Sequence, residues 1–347
     1  MVQNFDFAGK SNDRKDIWTS DSMTELLTSA MVKYRKFRNM DPPALVDIWR
    51  SRASIHGVCD HVGYAMLEQM ALAKPYFDPE GLIVACNDED RPIGFAHAGF
   101  GPNERRDDIS TESGATAIVM VHPKYDVQAI SKELLGRCES YLTSRGATQI
   151  YGGSVRPIDP FYRGMYGGSE MPGVLTSDID ALDLYRNSGY EEEQHTILMR
   201  RHLEDFVGPV DRTQMFIRRQ MVVEVIADPK LTSWWEACTL GDYDLTLVQL
   251  RPRRGGDPVA RAIFRSMQPI GIPIDTPGAG MIHLQVDANT RKKGIATFLL
   301  SEAFRHFVRN DIMVVSAQFF EHHEAAMNLC RKLGFQMISR GVVFKKK

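Results

Sequence analysis

The stretch from Val286 to Leu300, Val-Asp-Ala-Asn-Thr-Arg-Lys-Lys-Gly-Ile-Ala-Thr-Phe-Leu-Leu, carries the strongest chemical signal in the sequence. An apolar strand enters a helix through a turn that holds Arg291, Lys292, Lys293, Gly294, Ile295 and Ala296. Small residues at 294 and 296 let backbone N–H groups point at an anion, the helix N-terminus adds partial positive charge, and three cations surround the spot. A pyrophosphate is the natural guest. A lone basic triplet would read as a solvated helix cap, but here strand, Gly, Ala and Leu299-Leu300 agree in order and spacing. Other side chains able to do chemistry lie near in sequence: His283 on the strand before the turn, Glu321, His322 and His323 just ahead of the next helix, and Cys330 within it.

Hydrophobic periodicity supplies the elements that must position these residues. It places strands at 282–286, 313–318 and 336–344 and helices at 295–308 and 324–333. Upstream, a strand at 221–226, a helix capped by Ser233 and strands at 245–250 and 259–264 complete one α/β unit. The first half repeats the order, with a strand at 33–37, a helix opened by Pro42-Pro43, strands at 82–86, 93–98 and 117–121, and a helix whose apolar set includes Ile130, Leu134, Leu135, Cys138 and Leu142. A strand at 149–151, a helix at 181–185 ended by Gly189 and a strand at 195–200 close it.

Register supports a true repeat. Ile130-Ser131-Lys132-Glu133-Leu134-Leu135 aligns with Ile295-Ala296-Thr297-Phe298-Leu299-Leu300, and the Leu184 to Tyr190 stretch aligns with Leu329 to Phe335. Between these landmarks the first copy carries 20 more residues, which fall in 152–176. That insert is rich in Gly, Pro and Tyr and suits either a binding loop or a self-packed loop covering the sheet. The expected organisation is an arm over 1–32 with a short helix capped by Ser20 or Asp21, a first domain over 33–205, a linker over 206–214 around Gly208-Pro209, and a second domain over 215–347.

The 347 residues are 43% hydrophobic and 25% charged, enough for two cores and unlike a disordered or fibrous chain. Lys+Arg number 42 against 44 Asp+Glu, so a net charge of −2 provides no overall field toward nucleic acid or an anionic membrane. No apolar run approaches the ~18 residues of a membrane span, and the N-terminus has no basic stretch followed by an apolar one. Five widely spaced cysteines form neither a zinc knuckle nor a redox pair. A cytoplasmic protein without a metal site is expected.

The segment with Arg291, Gly294 and Ala296 resembles the acetyl-CoA signature of the GNAT N-acetyltransferase superfamily, Gln/Arg-x-x-Gly-x-Gly/Ala. Leu329 to Phe335 is similar to the Leu-Tyr-x-Lys-Leu-Gly-Phe type sequence that ends the following helix in that family, except at Cys330. With two copies, the chain looks like a tandem member, similar in architecture to the mycothiol synthases. The resemblance implies an α/β (α+β) fold of two GNAT-like domains, each a mixed twisted sheet flanked by helices with a splayed pair of central parallel strands. It further implies acetyl-CoA as cosubstrate and transfer of its acetyl group, in the second copy, to a primary amine of a small-molecule or peptide acceptor. The cosubstrate would lie against Leu284, Gln285 and Val286 of the strand and Arg291, Lys292, Lys293, Gly294, Ile295 and Ala296 of the turn. A monomeric pseudo-dimer or a homodimer fits such a chain.

The first copy departs from the signature, with Asp126 in the place of Arg291 and Ala129 in that of Gly294. A carboxylate and a Cβ would oppose the phosphates, so no acetyl-CoA binding is expected there. Where the family often supplies a Tyr as general acid, the second copy has Cys330, either a proton donor or a small core residue. Tyr185 at the matching place in the first copy reads as core. Candidate bases are His283, Glu321 and His323, against the plainer readings of a core histidine on the sheet's other face and of an exposed loop. His323-Glu324-Ala325-Ala326-Met327 has Met where a zinc motif needs its second His, and Gly99-Phe100-Gly101-Pro102 leads to no third Gly of a dinucleotide fingerprint. The rival reading keeps the phosphate turn without the chemistry, as a non-catalytic acyl-CoA-binding scaffold.

Overall fold

The computed structural model describes residues 31–267 and 277–347; the helix expected near Ser20 and Asp21 lies outside the described residues. The first half comprises β1 (Lys33–Lys36), α1 (Pro42–Ser51), α2 (Tyr64–Leu67) running into a π-turn, β2 (Leu82–Cys86), β3 (Pro92–Pro102), β4 (Ile109–Val121), α3 (Val127–Ser144), β5 (Gln149–Gly152), β6 (Val174–Leu175), α4 (Ile179–Arg186) and β7 (Tyr190–His202). The second comprises α5 (Arg212–Gln220), β8 (Met221–Ala227), α6 (Trp234–Leu240), β9 (Leu245–Pro252), β10 (Ala260–Ser266), β11 (Gly278–Val286), α7 (Ile295–Arg309), β12 (Val314–Phe320), α8 (Glu324–Lys332) and β13 (Gln336–Lys346). The stretch expected as a linker ends inside α5, because the Asp211 carboxylate accepts from the Gln214 N–H at 2.8 Å and starts the helix there.

All strands join one mixed sheet in the order β1-β2-β3-β4-β5-β13-β7-β12-β11-β10-β9-β8, with β6 beside β13. The last strands of the two halves are exchanged. β13 inserts into the first half between β5 and β7, while β7 pairs with β12 of the second half. Both halves also contain the splay: β4 and β5 pair in parallel only over 113–116 with 149–152, and β11 and β12 only over 278–281 with 314–317.

On one face of the first half, α3 packs through Leu134, Cys138 and Leu142. On the other, α1, α2 and the insert build a larger core that includes Trp49, Phe161, Tyr162 and Met165. In the second half, α7 and α8 cover one face through Phe298, Phe304, Phe307 and Cys330. On the opposite face, among the described residues, a small cluster of Leu240, Leu245 and Ile282 lies beneath the seven-residue α6. Strand β7 begins five residues before the apolar run that signals it, at Tyr190. Its exposed Glu191 and Glu193 pair instead with Lys347 at 2.8 Å and Lys345 at 3.9 Å, a partnership that exists only because β13 lies alongside.

The exchange makes each half the edge cover of the other. Residues 215–347 expressed alone lack β7, so β12 presents an unpaired edge. The expected result in size-exclusion chromatography is an aggregated or self-associated product, and a monodisperse, cooperatively melting fragment would contradict it.

Candidate functional site

Strand β11 is bonded to β10 along one edge through to Val286, but beyond Met281 its other edge is not paired with β12. Leu284, Gln285 and Val286 therefore hold an open backbone edge inside the splay. Leu284 and Val286 pack toward the α7 core, whereas His283 and Gln285 line the opposite face. A bulge between the β10 residues Ile263 and Phe264 turns Ile282 toward that face as well.

The chain then makes a 3-10 turn over Ala288–Thr290, in which the Asp287 carboxylate accepts from the Asn289 N–H at 2.8 Å. Lys292 (φ 60°) and Gly294 (φ 78°) both take left-handed conformations, and Gly294 heads α7 with no side chain capping the helix. A Cβ on Gly294 would lie 3.1 Å from Thr213 Cγ2 and 3.2 Å from Gln214 Nε2, so α5 closes the turn from behind, and the left-handed backbone favours glycine there. Arg291 donates through Nε to the Val286 carbonyl at 3.1 Å and Lys293 through Nζ to the Asn289 carbonyl at 2.9 Å, and both side chains remain exposed. Uncapped N–H groups, a helix N-terminus and two anchored cations thus converge where the splayed edge ends.

The first half builds the same junction differently. Helix α3 begins at Val127, so Gln128 and Ala129 are helical where Lys293 and Gly294 form the open turn. The Asp126 carboxylate accepts from the Ala129 N–H at 3.0 Å and caps this additional turn. The place an anion would take is filled by a side chain of the protein. The splay is filled too: Tyr185 is buried, stacks on Phe344 at 5.2 Å and donates to the Thr116 carbonyl at 3.2 Å. Gly152 is needed there, since a Cβ would come within 2.4 Å of the Tyr185 ring.

On the face of β11 away from α7 lies a cavity of about 330 Å³ between the two halves. Its floor includes Ile282, His283 and Gln285, one wall is α6 with Trp235 and Glu236, and the other is the first-half insert with Arg156, Pro157 and Asp159. The insert is both a packed loop and a cavity wall. Phe161, Tyr162 and Met165 anchor it in the first core, and Arg265 pins it to the second half by donating through Nε to the Ser169 carbonyl at 2.7 Å. Tyr243 adds a hydrogen bond to the Arg163 carbonyl at 2.7 Å, and the Trp235 N–H donates to the Arg106 carbonyl at 3.0 Å.

Desolvation, with Arg156 and Arg106 nearby, pulls the His283 pKa below its usual value, so the imidazole is neutral at pH 7 while still solvent-accessible. Glu236 is held below the ordinary carboxylate range. Burial pushes it up, but the Thr232 hydroxyl (2.6 Å), the Thr232 N–H (3.0 Å) and Arg106 outweigh that. It stays ionised and occupied with capping α6.

The remaining sequence candidates lie elsewhere. Glu321 is 3.5 Å from Arg340 in a surface pair, His322 stacks on Phe320, and His323 precedes α8; none of the three lines the cavity. Cys330 is 1% exposed within the α7–α8 core, and burial pushes its thiol up to about 12. Sequence reasoning did not find Arg106, Trp235, Glu236 or Arg261, and only the composition of the insert pointed toward Arg156.

The sequence profile of the acetyltransferase (GNAT) family matches this chain twice, over residues 44–166 and 216–335. No curated protein matches it. Among solved structures, the chain is similar to a tandem GNAT protein from the clavulanic acid biosynthesis pathway, with 12% identity, a TM-score of 0.65, and 90% of this chain and 98% of that one covered. A GCN5-related N-acetyltransferase from Sphaerobacter thermophilus shares 14% identity with a TM-score of 0.62, covering 91% of this chain and 95% of the other. A GCN5-related glucosamine N-acetyltransferase region of a fungal multi-domain β-N-acetylglucosaminidase shares 16% identity with a TM-score of 0.67; the match covers 91% of this chain and 38% of that longer one.

Burial of Cys330 leads to a direct expectation. Its thiol stays protonated and unreactive toward iodoacetamide at pH 8 in the folded protein, and Cys330→Ala lowers stability by about 1–2 kcal/mol through the cavity it leaves. Peptide mass spectrometry and urea melts check both; rapid alkylation of the native protein would show an open site.

Proposed function

Since the chain belongs to the acetyltransferase (GNAT) family as a tandem member, we propose that it transfers the acetyl group of acetyl-CoA to a primary amine, with the chemistry in the second half. The observation that carries this reading is the contrast between the two helix N-termini. The α7 turn offers free N–H groups around a left-handed Gly294, whereas the α3 turn is closed by its own Asp126. Arg291 to Ala296 would hold the pyrophosphate, and the open edge at Leu284 to Val286 would accept the pantetheine chain and the thioester carbonyl.

From the cavity on the other face, the acceptor amine would reach the thioester through the splay. Its nitrogen attacks the carbonyl carbon, neutral His283 takes the ammonium proton of the tetrahedral intermediate, and the carbon–sulfur bond breaks. The departing thiolate regains a proton from the imidazolium or from water. His283 is favoured over Glu321 and His323 because it alone of the three lines the cavity. Cys330, though protonated, is read as a packing residue.

Calorimetry is expected to find one acetyl-CoA site per chain. Gly294→Glu and, more mildly, Arg291→Ala weaken it at least tenfold, while Ala129→Glu leaves the affinity unchanged; two sites, or the reverse pattern, would overturn the assignment. If His283 is the base, kcat is full where the imidazole is neutral and falls as pH drops through its depressed pKa, below 6.5. His283→Gln should lower kcat and remove that acidic limb without changing acetyl-CoA affinity, and an unaltered pH profile would exclude the role.

A further inference from the structure

The cavity beside His283 is cationic in a protein whose overall charge is −2. Arg106, Arg156, Arg163, Lys230 and Arg261 line it, against the carboxylates of Asp159 and Glu236. Three of the cations are neutralised locally: Arg163 pairs with Asp159, Arg156 with Glu170, and Arg106 with Glu236 at 3.4 Å. Lys230 and Arg261 line the same space without an acidic partner among the described residues. Both side chains are exposed, so their charge is free to meet whatever enters the cavity. An anion is the complementary guest.

Register places this charge relative to the reacting centre. Arg261 on β10 is the cross-strand partner of Gln285, and His283 on β11 partners Ile263, so Arg261 and His283 are diagonal neighbours. Both line the same cavity, as does Gln285 between them. Diagonal positions in an antiparallel pair lie roughly 7 Å apart, close enough for the two side chains to meet opposite ends of one small molecule. Trp235, Leu240 and Ile282 provide an apolar side for the carbon chain between them. About 330 Å³ suits a small molecule.

Resting on the acetyl-transfer reading above, we propose that the acceptor is a small amine that also bears an anionic group, a carboxylate or a phosphate, held by Arg261 and Lys230 while the amine meets His283. The anion fixes the acceptor's orientation, and a neutral amine of the same shape lacks that hold.

The test uses the full chain and two matched pairs of probes: β-alanine against β-alaninamide, and phosphoethanolamine against ethanolamine. The expected result is a kcat/KM at least tenfold higher for the anionic member of one or both pairs, read by release of free CoA thiol. The pair preferred tells carboxylate from phosphate. Arg261→Gln, and Lys230→Gln in addition, should erase the preference by raising KM for the anionic amine while acetyl-CoA affinity stays unchanged. Equal or better use of the neutral members, or a preference that survives both substitutions, overturns the proposal. Binding is measured separately by calorimetry with saturating CoA, which occupies the phosphate turn. If no probe is acetylated, anionic amines that bind wild type and not Arg261→Gln uphold the proposal while the transfer reading fails. No binding of any anionic probe at millimolar concentration overturns the proposal itself.

Discussion

Everything in this molecule hangs on the exchange of the two final strands. Because β13 lies between β5 and β7, and β7 pairs with β12, one sheet runs unbroken through both halves. Neither half can move as a rigid body against the other without breaking ladder hydrogen bonds. That rigidity is what lets an insert from the first half serve as a wall for a cavity in the second. Arg265, Tyr243 and Trp235 then need to supply only local hydrogen bonds to hold loops already brought together.

Within that shared sheet the two copies have diverged at one turn of helix. In the second copy the chain spends its residues on a loop whose backbone bends left-handed at Lys292 and Gly294 and leaves N–H groups unclaimed. In the first, the equivalent residues wind into α3 and a carboxylate satisfies the helix end. A helix N-terminus left open is a binding site and one capped by Asp is a structural element; the same physical demand, partners for orphan N–H groups, produces both. Tyr185 completes the conversion by filling the first splay with an aromatic ring.

The cavity follows from an asymmetry in covering. Two helices and a π-turn build a deep core over the first half's outer face, while among the described residues α6 is the one helix on the second half's corresponding face. The insert compensates only partly, and what it leaves uncovered is lined by charges from four separate regions of the chain. Desolvation and the neighbouring guanidinium groups of this setting lower the His283 pKa further below neutrality.

The sequence by itself determined what is encoded within a few adjacent residues. The Arg291 to Ala296 turn, its loss at Asp126 to Ala129, the repeat and most element boundaries were legible, because backbone conformation and helix capping depend on neighbours one turn away. So was the alternation that sets His283 on the face opposite Leu284. Whether that face was core or cavity was not legible. Nor was the strand exchange: β7 and β13 each carry a short apolar run followed by basic residues, Ile197 to Met199 and Val342 to Phe344, and pattern alone favours neither partner. The charged Glu191 to Glu193 stretch carries no strand signal of its own and joins β7 because Lys345 and Lys347 lie across from it. The cavity's cations, at positions 106, 156, 163, 230 and 261, acquire a common role only when the sheet brings them together, since electrostatic interaction depends on distance in space and sequence separation says nothing about it.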